Sequence, residues 1–211
     1  MKKIINNRSQ RNKIIIFDIG NVILSFNNML ICEKLSKLSN LSSLKIYKLI
    51  FESDLINLLN EGKISPGEFF EEIKKLLKIN ITFYKFYKIW TEEVFKENVE
   101  ISQLINYLRI KKYKLCILSN INELHFQYIS HKFNIINKFD EYFLSYKIGY
   151  QKPNLKIFQK ILKKFNLPPD NYIYIDDIEE YINVAKSLGI KGIVFKSATQ
   201  LRDMFLKFGI I

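Results

Sequence analysis

The stretch KIIIFDIGNVILSF, Lys13–Phe26, places the carboxylate of Asp18 at the end of an apolar run and a glycine, Gly20, two positions later. A short, continuous run rich in Ile, Val, Phe and Tyr is typical of a parallel strand that is buried on both faces. Three further segments have this character, namely YKLCILSN (113–120), YIYIDD (172–177) and KGIVFK (191–196). The sequence therefore predicts a parallel sheet whose first strand ends at Asp18.

Helical patterns separate the later strands. They are ELHFQYISHKF (123–133), NLKIFQKILKKF (154–165) and IEEYINVAKSLG (178–189). Their apolar residues recur three and four positions apart, and Gly189 is a natural C-terminal stop. Strands that alternate with helices predict an α/β fold with a doubly wound, Rossmann-like parallel sheet.

The long segment between the first two predicted strands contains only helical signals. Ser65 and Glu68 form a capping box around Pro66, and Thr82 is a candidate cap before the aromatic segment FYKFYKIW (83–90). Roughly seventy residues are too many for one crossover connection. We therefore predict an all-helical cap domain over residues 28–96, inserted into a core domain made of residues 1–27 and 97–211.

The composition is that of a globular protein, with 48% hydrophobic residues in 211 and a formal net charge of +12. Only four of the 33 basic residues are Arg, and the Lys residues are dispersed, which argues against a nucleic-acid partner. Cys32 and Cys116 lie far apart and form no metal-type pair, which fits a reducing cytoplasm. The N-terminal MKKIINNRSQRNK (1–13) lacks the apolar core of an export signal. The sequence has no run of about 18 apolar residues without a charge, so we predict neither export nor a membrane partner.

Polar side chains follow three of the four predicted strands. Asp18 ends the first strand, Ser119 and Asn120 end the second, and Asp176 and Asp177 end the third. Parallel strands deliver their carboxyl ends to one edge of the sheet, where ligands bind in open α/β folds. A single such residue commonly caps the next helix, but three coincident cases favour a functional site.

The carboxylates at this edge predict a metal site. Acidic groups from two strand ends repel each other unless a cation lies between them, and an all-oxygen cluster suits Mg²⁺. Lys152, in the loop segment GYQKPN (149–154), adds a positive charge of the kind that holds a phosphoryl group.

These residues together resemble the haloacid dehalogenase-like hydrolase superfamily. Within it, the chain is most similar to the small capped phosphatases whose first motif reads Asp-x-Gly-Asn-Val. The resemblance covers nearly the whole chain, because FDIGNV, LSNINELH, SYKIGYQKPNLKIF and YIYIDDIEEYINVAKSLGI occur in the family's order and at its spacing.

The resemblance implies a role for each residue at the sheet edge. Asp18 would be the nucleophile that forms an aspartyl-phosphate. Mg²⁺ would be held by Asp18, the backbone carbonyl of Gly20 and Asp177, with Asp176 binding directly or through water. Phosphate oxygens would be bound by Ser119, Asn120 and Lys152, with Lys152 also neutralising charge in the transition state. The helical insert would close over the site and select the leaving group.

Further polar residues have weaker claims. Asn122 and His125 match a pattern of this subgroup, although a histidine on a helix is more often a packing or capping residue. Tyr47, Glu61 and Lys63 of the cap could meet substrate, although a solvated face is the commoner role for such residues.

The chain departs from the family at Gly20. Most phosphatases of the superfamily have a second Asp there, which protonates the leaving oxygen and later activates water. The glycine is shared with relatives that resemble sugar-phosphate phosphatases, including ones acting on hexose 1-phosphates. The first hypothesis is therefore a magnesium-dependent phosphatase acting on a small phosphorylated metabolite such as a sugar phosphate, as a monomer or homodimer. The alternatives are a non-catalytic binding or regulatory protein and a metal-independent carbon–halogen hydrolase.

Overall fold

The structure, a computed structural model, describes residues 13–211. The basic N-terminal stretch 1–13, which is predicted not to be an export signal, lies outside the described residues except for Lys13. Within residues 13–211, no helix combines the length and the apolar character that crossing a membrane requires.

The core of the fold is a five-stranded parallel sheet with the order β5-β4-β1-β6-β7. In chain order the strands are β1 (Ile14–Phe17), β2 (Leu24–Phe26), β3 (Phe95–Glu97), β4 (Lys114–Ser119), β5 (Glu141–Leu144), β6 (Tyr172–Asp176) and β7 (Lys191–Val194). Strand β1 is central, and its Phe17 pairs with Ile117 of β4 and Ile175 of β6. The four predicted strands are confirmed.

Two elements of β-structure differ from the predictions. Strand β5 was not predicted because this edge strand is only four residues long and half of it is partly exposed, which leaves no continuous apolar run. Strands β2 and β3 form a separate antiparallel ribbon. The prediction that residues 28–96 contain only helices was therefore wrong at Phe95 and Lys96, which pair with Phe26 and Ser25.

Eleven α-helices accompany the strands within residues 13–211, and helices pack on both faces of the sheet. They are α1 (Asn28–Ser36), α2 (Ser43–Phe51), α3 (Asp54–Asn60), α4 (Pro66–Leu77), α5 (Phe83–Thr91), α6 (Val99–Ile110), α7 (Glu123–Lys132), α8 (Ser145–Ile148), α9 (Leu155–Phe165), α10 (Glu179–Ser187) and α11 (Ala198–Lys207). Because side chains alternate along a strand, Ile15 packs with α6 and α11 on one face, whereas Ile14 packs with α9 and α10 on the other. The doubly wound α/β fold is confirmed.

Helices α1 to α5 bury a third apolar cluster of their own. Its centre is Trp90, whose ring lies 5.0 Å from that of Phe69 and 5.4 Å from that of Phe86. Ser65 and Glu68 form the predicted capping box at the start of α4, and Thr82 caps α5. This separate cluster supports the division into a core (1–27 and 97–211) and a cap (28–96), which stays a prediction.

One residue from outside the cap completes its apolar cluster. Leu124, in the first turn of α7, is 4% exposed and packs among the cap residues rather than against the sheet. The first turn of α7 therefore joins the sheet side of the molecule to the cap.

Candidate active site

The carboxyl ends of β1, β4 and β6 bring the predicted side chains together. Lys152 lies between two carboxylates, with its Nζ 2.9 Å from Oδ1 of Asp18 and 2.6 Å from Oδ2 of Asp176. Its Nζ also donates to the backbone carbonyl of Leu118, at 3.3 Å. The predicted convergence of β1, β6 and the Lys152 loop is therefore present in the structure.

The buried position of this ion pair changes how its members titrate. Burial raises the pKa of the Asp18 carboxyl to about 6, although the ammonium of Lys152 opposes that change. Burial alone would lower the pKa of Lys152, but the carboxylates of Asp18 and Asp176 outweigh it and raise the pKa. The rings of Tyr181 and Tyr174, at 5.0 and 5.8 Å, also face the ammonium. Lys152 is thus held as a buried cation beside the proposed nucleophile.

The three aspartates form a cluster suited to a hard metal ion. Carboxylate oxygens of Asp18, Asp176 and Asp177 lie within 4.8 Å of one another. Oδ1 of Asp18 is buried, and among residues 13–211 it has the ion pair with Lys152 at 2.9 Å but no well-aligned hydrogen bond. A buried carboxylate oxygen left in this state fits a site that accepts a cation.

The carboxylates of Asp176 and Asp177 differ in how many hydrogen bonds they already accept. Oδ2 of Asp176 accepts from Lys152 and from the hydroxyl of Tyr174, while its Oδ1 accepts from the backbone N–H of Ile178 at 2.8 Å. Asp177 accepts one side-chain bond, from Nδ2 of Asn21 to Oδ2 at 3.0 Å. Asp177 therefore keeps more carboxylate lone pairs free for a metal ion than Asp176 does.

The side chain of Asn120 is occupied in positioning the Lys152 loop. Its Oδ1 accepts from the backbone N–H of Lys152 at 2.8 Å, and its Nδ2 donates to the Lys152 carbonyl at 2.9 Å. Any contact of Asn120 with phosphate would thus come from its backbone N–H. Ser119 is 3% exposed and faces the cavity between core and cap.

Asn122 and His125 connect the core to the cap. Nε2 of His125 lies 2.9 Å from the carbonyl oxygen of Trp90, which can only accept, so Nε2 carries the proton. Nδ1 then accepts from Nδ2 of Asn122 at 3.2 Å. Burial lowers the pKa of His125 to about 4. With both ring nitrogens occupied, His125 acts as a packing residue and not as an acid or base.

A side chain that the sequence analysis did not single out covers Gly20. A Cβ atom at position 20 would lie 3.0 Å from Cε1 of Phe26 and 3.5 Å from Oδ2 of Asp18. A side chain at position 20 would therefore contact the Phe26 ring, which would have to shift by a few tenths of an ångström. The short distance along the chain from Gly20 to Phe26 was the only available signal, and it does not reveal which way the ring points.

A chamber of about 250 Å³ opens beside these groups, between the cap and the core. Tyr47 is among its lining residues, as are Gly20 and Ser119. Glu61 instead lines a neighbouring groove that contains Lys152, and Lys63 forms an ion pair with Glu61 at 2.6 Å. Of the three cap residues considered as substrate contacts, Tyr47 alone lines the chamber.

Comparison with known proteins identifies the family. A sequence model described as haloacid dehalogenase-like hydrolase matches residues 15–195, and the chain belongs to this family. The resemblance inferred from the motifs is thereby confirmed.

Two curated relatives are similar over most of their lengths. The D-ribitol-5-phosphate phosphatase of Bacteroides thetaiotaomicron is 26% identical over 85% of this chain and 89% of its own length. The sesquiterpene phosphatase astK of Aspergillus oryzae is 23% identical over 86% of this chain and 88% of its own.

A solved structure shares the fold. A HAD family enzyme from Bacteroides thetaiotaomicron, in complex with magnesium and inorganic phosphate, superposes with a TM-score of 0.76 at 23% identity, over 87% of this chain and 94% of that one. Sheet and cap together therefore follow a known arrangement.

Proposed function

We propose that this chain is a magnesium-dependent phosphatase that hydrolyses a small phosphorylated metabolite of the sugar-phosphate type through an aspartyl-phosphate intermediate. The observation that carries the proposal is the buried Asp18–Lys152–Asp176 array beside Asp177. Both relatives described above are phosphatases, one of them acting on a phosphorylated sugar alcohol, and this supports the assignment.

Asp18 performs the covalent chemistry in this proposal. A carboxylate oxygen of Asp18 attacks phosphorus, a new P–O bond forms, and the bond to the leaving oxygen breaks. Water then attacks phosphorus, the bond to Asp18 breaks, and inorganic phosphate leaves. The leaving oxygen takes its proton from water, because Gly20 offers none.

Lys152 and the backbone around Ser119 bind the phosphoryl group. The ammonium of Lys152 lies next to the attacking carboxylate, where it balances charge that spreads over the phosphoryl oxygens. The N–H groups of Ser119 and Asn120, at the end of β4, are the proposed further donors.

The residues that would hold Mg²⁺ are Asp18, the carbonyl of Gly20 and Asp177, with Asp176 bound directly or through water. When bound, the ion would shield the negative charge of the ester from that of the carboxylates. The structural neighbour was solved with magnesium and inorganic phosphate, which supports a requirement for Mg²⁺.

A phosphate-release assay over a panel of phosphorylated metabolites tests the proposal. We expect activity with Mg²⁺, loss of activity with a chelator, and a fall of at least about 10³-fold in Asp18→Asn. Asp203→Asn, on the exposed side of α11, is the matched control and should retain activity. Phosphate release that survives the chelator would contradict the metal requirement.

One observation favours a second candidate, a non-catalytic binding protein. Gly20 offers no acid–base carboxylate, and such catalysis is typically worth about 10² to 10⁴ in rate. If wild type and Asp18→Asn released equally little phosphate, while calorimetry showed that the wild type binds phosphate with Mg²⁺, the binding function would replace the phosphatase.

A further inference from the structure

We propose that the chamber between cap and core admits a small, uncharged, hydroxyl-rich leaving group, and that the carboxamides of Asn28, Asn57 and Asn60 bind its hydroxyl groups. The inference rests on the proposed phosphatase activity and concerns only what is attached to the phosphate.

The chamber carries no charge. Among the described residues none of the side chains that line it is acidic or basic, apart from His125, which burial keeps neutral. This is notable in a chain in which 26% of residues are charged. A carboxylate, ammonium or second phosphate on the leaving group would be desolvated there without a counter-ion.

Carboxamides take the place of charges. Five asparagines contribute to the lining, and they are Asn28, Asn57, Asn60, Asn120 and Asn122. An amide offers two donors and an acceptor, which matches a hydroxyl group that both donates and accepts. A purely hydrocarbon leaving group would desolvate these amides without replacing their bonds to water.

The two asparagines from the core are committed to the fold. Asn120 holds the Lys152 loop through both ends of its amide. Asn122 caps α7 by accepting from the N–H of His125, and its Nδ2 lies within bonding distance of both Nδ1 of His125 and Oδ1 of Asn60. Both side chains are therefore held in place by bonds within the protein.

The three asparagines nearer the cap retain free groups. Asn60 accepts from Asn122 at 3.3 Å, but its own amide hydrogens have no partner within residues 13–211. Asn57 accepts one long bond of 3.4 Å, from Nε2 of Gln151, and the side chain of Asn28 has no bond to any described residue. These amides are available to bind hydroxyl groups.

The rest of the lining sets shape and size. Phe26, Tyr47, Phe51 and Phe95 present aromatic surfaces that suit the C–H faces of a sugar or polyol. The volume of about 250 Å³ lies just below the roughly 300–1,000 Å³ of pockets for drug-sized ligands, so a sugar or polyol suits the chamber better than a nucleoside.

Matched pairs of esters test the charge rule on the wild-type protein. D-Glucitol 6-phosphate differs from 6-phosphogluconate only by a carboxylate, and glucose 6-phosphate differs from glucosamine 6-phosphate only by an ammonium group. We expect kcat/KM to be at least about tenfold higher for the neutral member of each pair, and higher than for AMP or farnesyl phosphate. Equal or reversed preferences would overturn the inference.

Acetyl phosphate separates this inference from the proposed function. Its leaving group, acetate, has no hydroxyl groups for the chamber amides to bind, so its magnesium-dependent hydrolysis reports on the phosphoryl site. If acetyl phosphate is hydrolysed and the charged esters are used as well as the neutral ones, only the chamber assignment fails. If neither acetyl phosphate nor any ester is hydrolysed, the phosphatase proposal fails and this inference fails with it.

Substitution of Asn60 tests the residue assignment. Asn60→Asp keeps the acceptor for Asn122 and adds a negative charge to the chamber. It should raise the kcat/KM ratio of glucosamine 6-phosphate to glucose 6-phosphate by at least about tenfold. Asn40→Asp, in the same cap but outside the chamber, should leave that ratio unchanged. An equal response in both variants, or in neither, would contradict the role given to Asn60.

Discussion

The ring of Phe26 lies next to Gly20, close enough to contact any side chain introduced at that position. An aspartate at position 20 would begin with its Cβ 3.0 Å from Cε1 of Phe26. Gly20→Asp alone should therefore raise the rate on poor leaving groups by less than about tenfold, because the ring obstructs the new side chain. Gly20→Asp combined with Phe26→Ala should recover more of the roughly 10² to 10⁴ available from acid–base catalysis.

The measurement for this pair is the dependence of kcat on the pKa of the leaving alcohol. Phe26→Ala alone is the control for the loss of the ring. If Gly20→Asp by itself matches the double variant, the ring does not obstruct position 20.

The hydroxyl of Tyr174 is expected to stabilise Asp176. It is a buried donor to Oδ2 of Asp176, the same oxygen that Lys152 binds. Tyr174→Phe should lower the free energy of unfolding by about 1.5–3 kcal/mol, as for hydrogen bonds to charged groups. Tyr172→Phe is the matched control, because its hydroxyl only accepts a bond from the N–H of Leu167, and should lower it by about 0.5–1.5 kcal/mol. Urea denaturation compares them, and an equal loss would argue against the Tyr174–Asp176 contact.

His125 should make the protein less stable in acid. Its pKa is lowered from 6.5 to about 4, so between these values the unfolded chain binds a proton that the folded protein excludes. The stability that depends on neutral His125 is complete above pH 6.5, and roughly 3 kcal/mol of it is lost by pH 4.

The variant His125→Gln isolates this contribution. Glutamine can keep a donor near the carbonyl of Trp90 but does not titrate. Between pH 7 and pH 4, the free energy of unfolding should therefore fall more for the wild type than for the variant. A constant difference would show that His125 is not neutral in the folded protein.

The cap should also depend on Gly62. This residue has φ +64°, and a Cβ atom on it would come 2.2 Å from the backbone oxygen of Tyr146 in α8. Gly62→Ala should raise KM by holding the cap away from the core, and should destabilise the fold. Gly149→Ala is the control, since Gly149 also has positive φ but a Cβ there would meet nothing within 4 Å. Both variants should lose about 1–2 kcal/mol of folding free energy because alanine is disfavoured at positive φ, and Gly62→Ala should lose more than that.

The sequence predicted those features that depend on short segments of chain. Asp18, Ser119 and Asp176 each lie at the end of an apolar run. Because the strands are parallel, these three residues are expected at the same edge of the sheet. The Asn120 side chain is hydrogen-bonded to the backbone of Lys152, which lies 32 residues away, and no local sequence pattern indicates this contact. The direction of the Phe26 ring depends on the β2–β3 ribbon, whose second strand, Phe95–Glu97, lies far along the chain.

The position of Leu124 has a consequence for how the molecule unfolds. Leu124 lies in the apolar cluster of the cap, and the next residue, His125, stacks on Trp90 with ring centroids 5.4 Å apart. An isolated fragment of residues 28–96 would expose that face of Trp90 to water. We therefore expect the excised fragment to remain unfolded and the whole chain to lose cap and sheet in one cooperative transition, seen as coincident near- and far-ultraviolet circular dichroism curves. An exchange of caps between relatives would have to carry the first turn of α7 with it.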